Sequence, residues 1–343
     1  MPIKTSQPLS YTSYYVEKRK TKRIFLKQMS SLIHWESVTN VLEKHYPTGQ
    51  SGQGRKAYPA LVLFKMILLQ TWYNLSDYGI EEQVNDTLSF MRFCGLQLED
   101  EVPDHSVVCR FRKALNQSGA WEVLLEQINS QLAGHGVLVK PGAISIVDAS
   151  VTPTPRKPKG KSSYSLAEGQ EPPLDKTRQP GVDQEARWVK KGGKLQYGYK
   201  RHYLAEAQEG LVLAVHTTPA NVHDSQLLGD CLNKVKLPPR SRVLADKGYC
   251  SQANEALLHS KGLRSGIQRK AYRNKPLTRR EKQYNKLVGK VRYKIERVFG
   301  SIKRWFGRLE ARYVGMAKTH GQHVLEALAY NLYRLPGIIM SKT

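Results

Sequence analysis

Ala143-Ile144-Ser145-Ile146-Val147-Asp148-Ala149-Ser150-Val151, followed at once by Thr152-Pro153-Thr154-Pro155, decides how the rest of the chain is read. Its isoleucines and valines predict a strand, and the prolines end it, because Pro cannot continue a central ladder. Upstream, residues 1–137 read differently. Long apolar runs from Ala60 to Leu69 and from Ile80 to Phe93, with few β-branched alternations, predict a helical unit. Downstream, the polar segment from Arg156 to Lys194, rich in Lys, Pro and Gly, reads as a basic loop inserted into the fold and carrying little core.

Leu195 to Ala207 and Leu211 to Thr217 then predict a hairpin turning at Gln208-Glu209-Gly210, with Tyr197, Tyr199 and Tyr203 alternating along its first strand. A helix is expected over 221–235, a short strand over Arg242 to Ala245, a helix over Asn254 to His259 and a last strand over Gly266 to Gln268. A long basic helix from Thr278 to Phe306 and a closing helix from Gln322 to Leu335 complete the pattern. Three strands, helix, strand, helix, strand and long helix is the order of a ribonuclease-H-like fold, a mixed α/β sheet with flanking helices. The expected organisation is thus a helical domain over 1–137 and a ribonuclease-H-like domain over 138–338. A chain of 343 residues fits two cores better than one.

The charge narrows the partner. Against 54 Lys and Arg stand 29 Asp and Glu, and a net +25 is costly self-repulsion unless a polyanion neutralises it. Nucleic acid is the first candidate; ribosomal and membrane-surface proteins share such a balance. No run of about 18 apolar residues offers a membrane span, and the N-terminus lacks the apolar core of a signal peptide. A soluble, cytoplasmic protein is expected. Cys94, Cys109, Cys231 and Cys250 form no C-x-x-C pair, so neither a zinc site nor a disulfide framework is indicated, and they read as small buried hydrophobes.

Two features of the first domain bear on DNA. A basic cluster, Lys18-Arg19-Lys20 with Lys22 and Arg23, is either a DNA-contacting arm or a solvated tail. Pro103-Asp104-His105-Ser106 signals a helix start, and Arg110, Arg112 and Lys113 lie on that helix. It reads either as the recognition helix of a helix-turn-helix or as ordinary helical packing.

Chemistry is concentrated in three carboxylates: Asp148 on the first strand, Asp246 closing the fourth, and Glu296 on the long basic helix. At about 100° per residue, Ile295, Val298, Phe299, Ile302 and Phe306 form an apolar stripe, and Arg292, Glu296 and Lys303 form a row at its edge. There a carboxylate could hold a metal while two cations grip phosphates, or Glu296 could merely pair with Arg292 four residues earlier. Three shared acids suit DNA cleavage because two hard cations about 3.5–4 Å apart need oxygen ligands. One ion activates the nucleophile and the other stabilises the leaving oxygen.

Asp246-Lys247-Gly248-Tyr249 and the spacing Arg292-x3-Glu296-x6-Lys303 resemble the second and third acidic motifs of DDE-type bacterial insertion-sequence transposases. Within that class the chain is similar to the family named for insertion sequence five. The likeness is carried by Leu68-Leu69-Gln70-Thr71-Trp72-Tyr73-Asn74-Leu75-Ser76-Asp77, Pro103-Asp104-His105-Ser106, Tyr197-Gly198-Tyr199-Lys200, Asn221-Val222-His223-Asp224-Ser225 and Glu296-Arg297-Val298-Phe299-Gly300. The resemblance covers most of the chain beyond about residue 50. It implies an acidic triad of Asp148, Asp246 and Glu296 holding two Mg²⁺ ions, with Mn²⁺ as substitute. It also implies cleavage at element ends, strand transfer into target DNA, and an active complex of more than one copy. Gly289 departs from the signature, which has Tyr three residues before the Arg; Tyr284 and Tyr293 are out of register to replace it.

Other groups read more plainly. Gly160-Lys161-Ser162 lacks the leading Gly of a phosphate-binding loop, which is Pro155 here, and no helix is expected to follow. His202, His216 and His223 have no metal-ligand spacing. Asp224, at an expected helix start, has a sufficient job in capping. Lys200 with Arg201 beside the hairpin tyrosines makes a phosphate contact plausible, as Arg110 and Arg112 do on their helix. The expected activity is therefore a DNA transposase; a nuclease that cuts without joining and a DNA-binding protein that has lost cutting are the alternatives.

Overall fold

A computed structural model describes residues 24–47, 57–137, 144–158, 181–307 and 310–341. The Lys18 to Arg23 cluster and Gly160-Lys161-Ser162 lie outside the described residues. The chain divides into two compact units, Met1–Gln131 and Leu132–Thr343.

The first unit is helical: α1 (Phe25–Leu32), α2 (Trp35–His45), α3 (Ala60–Trp72), α4 (Asp77–Asp86), α5 (Leu88–Cys94), α6 (His105–Ser118) and α7 (Ala120–Gly134), the last of which crosses the division. All of α3 but Leu61 is buried, as expected of a helix that is apolar on every side. The side chains of Ser76 and Asp104 cap α4 and α6 by accepting from the amides of Gly79 and Val107. Arg112 does not stand on the unit's surface. It is 4 % exposed and donates to both carboxylate oxygens of Asp77 and to Gln70, so it ties α6 to α3 and α4. Spacing alone had grouped it with Arg110, which is exposed and donates to Ser106.

The second unit is built on a six-stranded sheet: β1 (Ile144–Pro153), β2 (Arg187–Lys191), β3 (Lys194–Glu206), β4 (Val212–Pro219), β5 (Arg242–Ala245) and β6 (Arg264–Ile267). β1 is central. It runs antiparallel to β3, placing Asp148 opposite Tyr203, and parallel to β5, placing Val147 beside Ala245. β6 extends the parallel side, and β2 and β4 both pair with β3. This is the mixed sheet of a ribonuclease-H-like fold.

Successive residues face opposite ways, and the helices follow. Val147, Leu204 and Val243 pack with Leu228, Cys231 and Leu258 from α8 (Leu228–Asn233) and α9 (Gln252–Ser260). Tyr203, one residue from Leu204, points to the other face. There it stacks on Phe299 of α10 (Arg279–Phe306) and donates its hydroxyl to the His323 carbonyl of α11 (Met316–Met340). Asp148 shares Tyr203's face, and so looks toward α10.

Two expectations change. Part of the basic insert is structured and carries core: Val182, Asp183 and Ala186 are buried, and β2 follows. Asp183 holds this segment down by accepting the Tyr199 hydroxyl on its carboxylate and the Tyr197 hydroxyl on its carbonyl, both at 2.7 Å, and the Gly315 amide at 3.0 Å. Second, the helix expected over 221–235 is a 3-10 turn, Asp224–Gln226, and then the short α8. The Val222 carbonyl accepts from Lys200 Nζ at 2.8 Å, and the His223 ring caps the turn.

Candidate active site

Asp148 sits in the middle of the sheet with little water around it. Burial pushes its carboxyl above the usual carboxylate range. The Arg292 guanidinium pulls against that shift, as does the Ala149 amide, while the negative charge of Asp246 adds to it. Arg292 comes from α10 to donate to Asp148 Oδ2 at 2.7 Å, with the two side chains only 10 % and 16 % exposed. Its second contact is Gln268 Oε1 at 3.3 Å, and its Nε is buried without a partner. Arg292 therefore engages the central acid across the core, not Glu296 four residues along its own helix.

Asp246 leaves β5 at the strand's carboxyl end and folds back on its own turn, its carboxylate accepting from the Gly248 amide. Gly248 is needed for this: a Cβ there would stand 2.8 Å from Asp246 Oδ1. The same position would lie 3.8 Å from Asp224 Oδ2, so Asp224 stands beside the turn. Asp224 is already partnered, by Lys200 Nζ at 2.9 Å. Lys200 in turn is nearly buried, with both of its contacts internal.

Tyr249, the residue sequence reasoning passed over in Asp246-Lys247-Gly248-Tyr249, is buried with Leu204, Cys231 and Leu258 on the α8–α9 face of the sheet. Burial raises its phenol well above the ordinary range, and the charges of Asp224, Asp148 and Asp246 raise it further. Its hydroxyl meets His202 Nδ1 at 3.4 Å, and His202 Nε2 meets Thr218 Oγ1 at 3.2 Å. Burial drives the His202 pKa down to about 3, so the side chain is neutral on this face, which is opposite the one Asp148 shares with Tyr203. Nothing in the spacing of the motif could reveal that placement, because it depends on β3 and β4 passing beneath it.

Glu296 is exposed on α10, one turn beyond Arg292. Lys303, farther along the same row, is half-buried, and burial, then the charges of Arg201 and Lys191, lower its pKa. Among the described residues no three His, Cys, Asp or Glu side chains are grouped closely enough to hold an ion. The donor chemistry nevertheless suits a hard divalent cation: Asp148 and Asp246 each directly follow the paired residues Val147 and Ala245 of adjacent parallel strands, so two carboxylates stand next to each other in register.

The family described as "Transposase DDE domain" matches residues 140–332, more than half the chain, and "Transposase domain (DUF772)" matches residues 14–114. Among solved structures, a piggyBac transposase synaptic complex with hairpin DNA is similar at a TM-score of 0.42 and 10 % identity, over 92 % of this chain and 73 % of that one. A pre-cleavage Mos1 transpososome is similar at a TM-score of 0.23 and 12 % identity, over 83 % of this chain and 98 % of that one.

Proposed function

The chain belongs to the Transposase DDE domain family, and from that premise we propose that it cuts DNA at the ends of an insertion sequence and joins those ends to target DNA. Asp148, Asp246 and Glu296 hold two divalent cations, Mg²⁺ with Mn²⁺ as substitute. When bound, the ions supply charge to stabilise the attacking and leaving oxygens of an in-line displacement. The chain's likeness to the family named for insertion sequence five, carried by runs such as Leu68 to Asp77, Tyr197-Gly198-Tyr199-Lys200 and Asn221-Val222-His223-Asp224-Ser225, supports an insertion-sequence substrate.

The chain's own residues divide the work. Asp148 and Asp246 present oxygens side by side on adjacent strands, with Gly248 keeping Asp246 turned back. Arg292 neutralises Asp148 until substrate arrives and then orients a phosphate, with Lys303 from the same row. In the first step water forms a bond to phosphorus, the bond to the element's 3′ oxygen breaks, and that oxygen leaves as a 3′-hydroxyl. In the second step this hydroxyl forms a bond to a target phosphorus and a target 3′-hydroxyl is released. One phosphodiester replaces another, so no nucleotide cofactor is needed and no covalent enzyme intermediate forms. DNA ends and target are the partners, bound by more than one copy of the chain.

The observation that supports this reading is the register that sets Val147 of β1 beside Ala245 of β5, so that Asp148 and Asp246 follow side by side on the two strands. Asp148→Asn and Asp246→Asn keep side-chain size and remove the charge a hard cation requires. Each should abolish strand cleavage in Mg²⁺ or Mn²⁺ while retaining binding to the element ends. Cleavage at the wild-type rate by either variant would overturn the assignment, and donor ends that are cut but never joined to a plasmid would leave a nuclease.

A further inference from the structure

The pairing of β5 with β1 and with β6 runs to Ala245 and stops, one residue short of Asp246. The direction of the Asp246 carboxylate is therefore set by the turn Lys247–Tyr249 and by whatever holds that turn. The turn's own bonds, from the Gly248 and Tyr249 amides to Asp246, shape it but tie it to nothing else. Asn254, in the first turn of α9 and only 5 % exposed, supplies the tie. Its Nδ2 donates to the Tyr249 carbonyl at 2.8 Å and to the Ser225 carbonyl at 2.9 Å. Both partners are acceptors and the amide nitrogen carries two hydrogens, so one side chain satisfies both carbonyls. Ser225 belongs to the turn Asp224–Gln226, which Lys200 of β3 anchors through Asp224 Oδ1 and the Val222 carbonyl. A run of hydrogen bonds thus leads from β3, the partner of the strand bearing Asp148, through Lys200 and Asn254 to the turn of Asp246.

We propose that Asn254 is a positioning residue for metal binding: by pinning both turns it holds the Asp246 carboxylate beside Asp148, where the two can share a divalent cation. It acts through two backbone carbonyls and touches neither ion nor DNA. The proposal rests on the reading of Asp246 as a metal ligand and names what aims that ligand. In the sequence Asn254 only opens a helix, and the carbonyls it joins lie 5 and 29 residues away.

The test titrates the full chain with Mn²⁺ and follows the free ion by electron paramagnetic resonance. Asn254→Ala should bind Mn²⁺ about tenfold more weakly, the low end of what losing a group that supports a metal ligand costs. Asn254→Ser, whose single hydroxyl hydrogen reaches at most one carbonyl, should lose about threefold. The Mg²⁺ concentration for half-maximal cleavage should rise in step, while affinity for terminal-repeat duplexes in EDTA stays as in wild type. Ser251→Ala separates aiming from stability. It removes the Oγ that caps the same end of α9 by accepting the Asn254 amide at 3.2 Å, so it should lower the melting temperature and leave Mn²⁺ binding unchanged. Should Asn254→Ala not fold, Asn254→Ser decides alone. If the Asn254 variants bind Mn²⁺ like wild type, or Ser251→Ala weakens it as much as they do, the proposal fails and Asn254 is a structural staple only. Failure of the underlying reading is seen separately, as wild-type Mn²⁺ binding and cleavage by Asp246→Asn.

Discussion

At the residue scale the candidate site is a set of acids already partnered in different ways, and the partners predict how each tolerates change. Asp224 is held by Lys200, whose side chain is only 11 % exposed. Asp224→Asn leaves that lysine without its carboxylate, so the protein should lose stability in thermal melts, by less than the ~3–5 kcal/mol of a fully buried pair because Asp224 itself is 29 % exposed. Measurable cleavage in Mg²⁺ should survive; a dead but folded Asp224→Asn would move the second metal ligand from Asp246 to Asp224. The two buried histidines predict an acid response. Burial lowers His202 to about 3 and His323 well below 6.5, so both stay neutral in the fold while the unfolded chain takes up protons below about 6.5. Their contribution is fully present above that pH and is lost as pH falls toward 3, at about 1.4 kcal/mol per pH unit for each. Denaturant titrations from pH 7 to 5 should show the decline, and His202→Gln should flatten it.

At the element scale α10 carries the most consequence. Thr278 and Glu281 close a reciprocal capping box at its start. Farther on, Asn285 bonds both the amide and the carbonyl of Arg269, at 2.8 and 2.9 Å, while Gln268 bonds the Asn285 carbonyl and Arg292. These contacts set the rotation of the helix against the sheet. Asn285→Ala should therefore cost about 1–3 kcal/mol and lower the cleavage rate more than DNA affinity, whereas Thr278→Ala should cost about 1 kcal/mol with cleavage unchanged. Equal losses of rate in the two variants would deny the clip any part in aiming the row. The helix itself was legible in the sequence, because its apolar stripe and its Thr cap are local. So were β1 and β5, whose parallel pairing runs as far as Val147 and Ala245, the neighbours of Asp148 and Asp246. What escaped was set by distant partners: β2 is pinned through Asp183 by tyrosines of β3, Arg112 is drawn inward by Asp77, and Arg292 crosses to an acid 144 residues away. Spacing grouped Arg292 with Glu296 but could not say which acid it would choose.

At the scale of the whole molecule the net charge of +25 predicts binding dominated by counterion release. Affinity for the element ends should fall steeply between about 50 and 200 mM salt, read as the slope of log K against log salt. A flat slope would take the basic surface out of the interface. The sheet adds a consequence of chain order. Its two aspartates sit on strands complete by Ala245, but the helix bearing Arg292, Glu296 and Lys303 begins only at Arg279. A chain cut short after β6 keeps the strands and both aspartates but leaves the Tyr203 face bare and lacks Arg292, Glu296 and Lys303. On the proposed reading such copies lack the third acid and should leave DNA uncut.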